Sequence, residues 1–366
     1  MATRRDFLKH TAGAAAGIVW LGCGSRDGAA QAPGARRQVM VGGRRIKTID
    51  VHAHCVVIEV LDLVRGTNTA LERRIQFSLD IQRVGVGPER LRMMDADGID
   101  VQALSINPYW YSIDRDLARR IIDLQNEKLS AMCAAYPDRF VAYATVALQF
   151  PELAAEQLEH AVKHLGLRGA SIGASLDGED VAARRFDPFW AKAEELQALV
   201  FMHPNQAPET TGTRRRLQGS GALGNVIGNP LDTTIALAHL IFEGTLDRFP
   251  NLKLCAAHGG GYLPSYAARM DHGCSVFPDQ CKGPKVQKKP SEYLKQLYFD
   301  SIVFTPQALR HLVTEHGASQ IVIGTDSPIP WAKRPVDHVL ETSGLSDDER
   351  IAILGGNAAK LLKIPT

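Results

Sequence analysis

With 366 residues, 45% of them hydrophobic, the chain is long enough for one large domain with a substantial core. A formal net charge of +2 gives no electrostatic footprint for nucleic acid. Beyond the first residues, no apolar run is long enough to span a membrane.

The chain begins with Arg4-Arg5-Asp6-Phe7-Leu8-Lys9, followed by a small, weakly apolar run from Thr11 to Leu21. Paired arginines ahead of such a run predict a twin-arginine export signal, and so delivery to the periplasm by machinery that carries folded proteins. Leu21-Gly22-Cys23 offers an imperfect lipoprotein box with Cys23 as the anchor, and Ala30-Gln31-Ala32 is a second cleavage candidate. Residues 1–45 are therefore assigned to targeting and linker, and 46–366 to the functional domain.

Short apolar runs then alternate with helical patterns. The first, Ile46 to His54, ends in two histidines one residue apart, and on a strand these share a face. Seven more follow: Val101–Ile106, Phe140–Val146, Gly169–Gly173, Ala198–His203, Lys253–His258, Leu297–Ser301 and Gln320–Asp326. Amphipathic segments lie between them, among them Asp116–Ala135, Glu152–Leu165, Asp232–Phe249 and Pro306–His316. Such alternation predicts an α/β chain with a parallel sheet, and eight units point to a (β/α)8 barrel. A doubly wound open sheet is the rival, though no glycine-rich dinucleotide fingerprint follows the first strand. The long connections Val56–Pro88 and Asn205–Pro230 are where substrate loops belong.

In a barrel the C-terminal strand ends share one rim. Here those ends carry His52, His54, His203, His258 and Asp326, donor types suited to zinc or a similar divalent ion. His160, His164, His311 and His316 fall on helices and read as helix-face residues, while His239 could approach the pocket. The five cysteines beyond Cys23 are odd in number and scattered, which is no disulfide framework. Cys55 and Cys255 read as core residues, whereas Cys274 and Cys281 are close enough to pair in an oxidising compartment.

Asp50-Val51-His52-Ala53-His54, Phe201-Met202-His203-Pro204, His258-Gly259-Gly260-Gly261 and Gly324-Thr325-Asp326-Ser327-Pro328 resemble the amidohydrolase superfamily. Within it they most resemble the branch of α-amino-β-carboxymuconate-ε-semialdehyde decarboxylase and related non-oxidative decarboxylases, over nearly all of residues 46–364. The resemblance implies one divalent metal, zinc first and manganese second, held by His52, His54, His203 and Asp326 with a water completing the shell. It implies His258 as general acid/base, assisted by Asp326. Binuclear members carry a lysine at the end of strand four, and the run from Gly169 to Asp177 has none. Arg269 matches an arginine that reaches into the partner subunit's site to hold a substrate carboxylate, which implies a homodimer.

The match breaks in the pocket. Asn225 stands where the branch has a tryptophan and Ile329 where a phenylalanine follows the metal aspartate; a second substrate-binding arginine in the first long loop has no counterpart, Arg83 being out of register. The expectation is an exported, metal-dependent lyase that decarboxylates a small unsaturated or aromatic carboxylic acid. The alternative is a hydrolase or hydratase using the same site on a lactone, ester, amide or alkene, since such a site serves either chemistry. A metal-binding envelope protein without turnover is a third reading, against which His258 beside a complete ligand set argues.

Overall fold

Eight parallel strands close on one another in the computed structural model, which describes residues 36–66, 68–81, 85–176, 178–205, 216–281 and 286–365. The twin-arginine run, Cys23, the alternative cleavage site and Arg83 lie outside the described residues. The strands are β1 (Ile49–His54), β2 (Val101–Ser105), β3 (Phe140–Ala142), β4 (Gly169–Gly173), β5 (Leu199–His203), β6 (Lys253–Ala256), β7 (Leu297–Asp300) and β8 (Ile321–Val322). Ladders join β1–β2–β3 and β4–β5–β6–β7–β8. Parallel bridges Ala144–Ala170 and Ala53–Ser327 link the two groups, and the Val51 N–H donates to the Ile323 carbonyl at 3.0 Å. The sheet is therefore closed, as the (β/α)8 expectation requires, and the open-sheet rival falls.

The connections carry the helices. They are α1 (Thr69–Ile81) and α2 (Pro88–Asp97) after β1, α3 (Arg115–Ala135) after β2, α4 (Pro151–His164) after β3 and α5 (Asp187–Glu195) after β4. Then come α6 (Asn229–Phe242), α7 (Leu263–Val276), α8 (Pro306–His316), α9 (Pro335–Glu341) and α10 (Asn357–Leu362). Alternate strand residues divide between two cores, as period-two geometry demands. Val200, Met202, Leu254 and Ala256 pack outward against the helices, while Val101, Leu199, Phe201 and Cys255 fill the barrel with Leu361 and Leu362 of α10.

One departure from the ladder matters for the site. Asp50 pairs with Gln102 but Ala53 pairs with Leu104, so two residues of β1 oppose one of β2. This bulge shifts the phase of the strand. Val51 belongs to the interior cluster, and the His52 ring also faces inward, 4.9 Å from the Phe201 ring.

Among the described residues, ordered elements are already present ahead of the expected boundary at Arg45. Met40–Val41 and Arg44–Arg45 form a small antiparallel hairpin turned by Gly42 and Gly43, both with positive φ. Val39 and Val41 are buried, and Arg37 pairs with Asp337 of α9. The last strand is also shorter than its apolar run: the Thr325 N–H and hydroxyl bond the Asp50 carboxylate instead of a neighbouring strand. Cys274 and Cys281 are joined in a disulfide at the end of α7, and Cys55, Cys133 and Cys255 are free.

Candidate metal centre

The rim at the strand ends gathers the five expected side chains. One atom each of His52, His203, His258 and Asp326 lies within 4.8 Å of all the others. His54 completes the group, its Nε2 3.1 Å from His52 Nε2 and 2.8 Å from Asp326 Oδ1. His52, His54, His203 and Asp326 are buried, and His258 is partly exposed to the cavity above.

Hydrogen bonding on the far side of each ring fixes which nitrogen faces the centre. His52 Nδ1 donates to Asp300 Oδ2 at 2.6 Å. His203 Nδ1 donates to the Pro204 carbonyl at 2.8 Å. The Ser105 hydroxyl donates to the Ala53 carbonyl at 3.1 Å, so its oxygen accepts from His54 Nδ1 at 3.0 Å. Each imidazole thus spends its ring proton outward and turns an Nε2 lone pair inward. Asp326 Oδ1, a buried oxygen with no hydrogen bond, sits among them, 3.2 Å from His52 Nε2. Four acceptors converging without a donor repel one another, and a cation at their common point removes the conflict. The donor set fits a single divalent ion.

Without a cation between them, the carboxylates draw a proton onto the site instead. Burial alone would lower the His52 pKa, but Asp326 and Asp300 outweigh it and raise it to about 10, so that a proton there stands in for the positive charge of an ion. Burial would raise Asp326, yet the charge of His52 and the imidazoles crowded around the carboxylate hold it well below the usual carboxylate range. Burial pushes His54 and His203 down. Two buried carboxylates among imidazoles call for positive charge between them.

The supporting roles of three residues were not recognised in the sequence. Asp300, fully buried at the end of β7, holds His52 and also accepts from the N–H groups of His258 (3.0 Å), Gly259 (2.9 Å) and Ile302 (3.1 Å). Its position at a strand end was the available signal. Asp50 lies beneath, accepting from the His52 N–H at 3.0 Å, Gln102 Nε2 at 2.9 Å and the Thr325 hydroxyl at 2.6 Å. Arg90 of α2, also fully buried, donates to Gln102 Oε1 and to the His54 carbonyl.

His258 and Asp326 both have left-handed backbone, with φ of 55° and 59°. The Asp326 N–H donates to the His52 carbonyl at 2.8 Å, which swings its carboxylate over the barrel mouth. The glycines after His258 allow a close approach to neighbouring protein: a Cβ on Gly261 would stand 2.2 Å from the Pro230 carbonyl oxygen. At the end of β4, a Cβ on Gly173 would lie 3.1 Å from both Tyr111 Cε2 and Asn205 Cβ. A side chain at Gly173 would have to displace both neighbours slightly, and the run from Gly169 to Asp177 contains no lysine.

A cavity of about 650 Å³ opens above the cluster, lined by His203, His258 and Asp326. Asn225 and Ile329, the two departures from the branch pattern, are on its wall. Arg269 is exposed on α7 and lies outside this cavity, whereas Arg73 and Arg74 of α1 line it, unforeseen from the sequence. His239 faces Asp180 at 3.2 Å and is not among the cavity residues. His160 and His164 face each other on α4. His316 packs on Phe299, and His311 is near Glu315.

Comparison with known proteins places this geometry. The family described as Amidohydrolase matches residues 49–364. A 2-amino-3-carboxymuconate-6-semialdehyde decarboxylase of Dictyostelium discoideum is 31% identical over 280 residues, covering 75% of each chain. A gamma-resorcylate decarboxylase of Rhodococcus jostii is 30% identical over 302 residues, covering 78% of this chain and 88% of the relative. Among solved structures, the dihydroxybenzoic acid decarboxylase of Polaromonas sp. JS666, with bound manganese and the inhibitor 2-nitroresorcinol, superposes with a TM-score of 0.75 at 26% identity. That alignment covers 87% of this chain and 97% of the other.

Proposed function

From the premise that this chain belongs to the amidohydrolase family, we propose that it is a metal-dependent decarboxylase of an aromatic or similarly unsaturated carboxylic acid. One observation carries the reading: three inward imidazole lone pairs and the unpartnered Asp326 Oδ1 converge beneath a cavity whose wall holds His258. His52, His54, His203 and Asp326 would hold one divalent ion. When bound, the ion would act as a Lewis acid, drawing in the negative charge of the substrate's oxygens. Zinc was the first expectation from the ligand set; the manganese in the Polaromonas relative supports loading with manganese as well.

The remaining work falls to side chains of this chain. Asp300 fixes the His52 ring and, through its bond to the His258 N–H, the backbone that presents His258. His258 Nε2, 3.8 Å from Asp326 Oδ2, faces the cluster and is the atom from which a proton would pass. The bond from the ring carbon to the carboxylate breaks, its electron pair stays on the carbon, and that carbon takes the proton as carbon dioxide leaves. The partner subunit's Arg269 would hold the reacting carboxylate, making a homodimer the active unit.

Export to the periplasm rests on Arg4-Arg5 and the run after it, and the Cys274–Cys281 disulfide supports an oxidising compartment. Arg4→Lys with Arg5→Lys should trap the protein in the cytoplasm; equal export of that variant would remove the twin-arginine reading. Cys23→Ser should release any lipid-anchored fraction.

The function is tested by metal content and carbon dioxide release from 2,6-dihydroxybenzoate and related acids, with His203→Ala beside the native chain. The expected result is close to one metal per chain and carbon dioxide formation, both lost in the variant. Incorporation of oxygen-18 from water into product without carbon dioxide would replace this reading with the hydrolase.

A further inference from the structure

A second cavity, of about 360 Å³, is lined by the connections after β7 and β8 and by α9, and shares no residue with the reaction cavity. Two large aromatic rings stand exposed on its wall. Phe304 is 60% and Trp331 37% accessible, with ring centroids 6.1 Å apart and planes inclined at 50°. The backbone holds Phe304 there against its own preference. Its φ is 60°, a left-handed value that bulky side chains avoid. The Thr305 N–H donates to the Val303 carbonyl at 2.8 Å, closing a tight turn around it. Val303 packs inward, where a Cβ on Gly259 would lie 2.5 Å from its Cγ1, so the turn sends Phe304 outward. Strain that keeps an aromatic ring beside a cavity and out of the core points to something that ring must meet.

The polar groups of the wall narrow the choice of ligand. Both carboxylates are taken: Asp337 accepts from Arg37 at 2.9 Å and from Arg334 at 3.0 Å, and Glu341 accepts from Arg334 at 2.8 Å. Lys333 has no ion pair among the described residues, so a cationic ligand is disfavoured and an electron-rich ring is welcome. His338 of α9 also lines the cavity, and its buried Nε2 has no hydrogen-bond partner. Burial lowers the His338 pKa, so the ring is neutral near pH 7 and Nε2 either donates or accepts. A hydroxyl satisfies it in either role. The volume lies at the small end of ligand sites and suits one substituted ring. We propose that this cavity is a second ligand site, separate from the reaction cavity, for a phenol whose ring rests against Phe304 and Trp331 and whose hydroxyl meets His338 Nε2. The site goes beyond the decarboxylase reading and does not depend on it.

Calorimetric titration of the metal-loaded full chain tests it, with p-cresol as the probe and toluene as the same ring without the hydroxyl. The native chain should bind p-cresol about 10-fold more tightly than toluene, because toluene leaves the buried Nε2 unpaired. His338→Phe should erase that preference, with circular dichroism confirming the fold. Phe304→Gly should weaken both ligands about 5- to 10-fold without lowering the melting temperature, since glycine adopts a φ of 60° freely. Equal binding of the two probes by the native chain would overturn the proposal, as would a preference that survives His338→Phe. So would p-cresol binding unchanged in Phe304→Gly, which would put the phenol at the metal centre, or, if the oligomeric state also changed, give the aromatic pair to a protein contact. Neither residue lines the reaction cavity, so carbon dioxide release should be the same in both variants as in the native chain. Release without p-cresol binding sinks this site alone; p-cresol binding without release from any acid sinks the decarboxylase reading alone.

Discussion

Replacing Asp300 with asparagine isolates the contribution of the group behind the metal centre. Each carboxylate oxygen accepts two bonds: Oδ2 from His52 Nδ1 and the His258 N–H, Oδ1 from the N–H groups of Gly259 and Ile302. Asparagine keeps one carbonyl oxygen and presents an NH2 in place of the other, so whichever way it turns, two of the four donors face a donor. A buried donor left without an acceptor costs about 1–3 kcal/mol, so the variant should lose roughly 2–6 kcal/mol of stability. That is a large share of the ~5–15 kcal/mol by which domains are stable. Where the fold survives, His52 loses a charged partner that orients it, and metal affinity should fall about 10- to 100-fold. Competition with a chromophoric chelator measures the affinity, and urea unfolding of the apoprotein measures the stability. A folded variant that binds metal as tightly as the native chain would refute the role given to Asp300.

Three further outcomes are expected. Gly261→Ala places a Cβ within 2.2 Å of the Pro230 carbonyl oxygen on backbone with φ of 67°, and should destabilise by about 1–3 kcal/mol in thermal unfolding, with no change if the contact is wrong. Asp232, buried between Ser175 and Asn205, has its pKa raised by burial to about 6. Because the folded value lies above the unfolded one, its share of stability is fullest below about pH 4 and is lost as pH climbs through 6. That share is on the order of 2–3 kcal/mol, and Asp232→Asn should flatten this part of the urea-midpoint profile. Reducing Cys274–Cys281, or Cys274→Ser, removes a short closed loop and should cost about 2–3 kcal/mol by chain entropy; an unchanged melting temperature would show the bridge is dispensable.

What could be read from the sequence followed from period and position. Apolar runs with histidine or aspartate at their ends mark strands whose tips share a rim, which is how His52, His54, His203, His258 and Asp326 could be grouped. The bulge at Val51–His52 left their shared face intact but was itself invisible, since it depends on the pairing partner. Asp300 occupies the same strand-end position but was overlooked, because its carboxylate serves other groups of the site from behind. Arg73 and Arg74 were out of reach for another reason: the path of α1 inside a long connection is decided by tertiary packing of Leu71 and Ile75, not by a motif. The hairpin around Gly42 and Gly43 did carry a turn signal, with valines at Val39 and Val41, but its nearness to the export signal masked it.

The bond between the Asp326 N–H and the His52 carbonyl sets a timetable for biosynthesis. Its two halves are made near opposite ends of the polypeptide, and at ribosomal rates of about 5–20 residues per second they emerge tens of seconds apart. His52 and His54 must wait through most of translation before β8 arrives to close the ring, so nascent chains expose imidazoles without their carboxylate. Contacts of such long sequence separation form late. Metal capture should therefore be a post-translational event, completed by finished chains. An arrest placed before residue 320 should yield ribosome-bound chains that retain no ion after gel filtration, whereas release of the full-length chain should permit it.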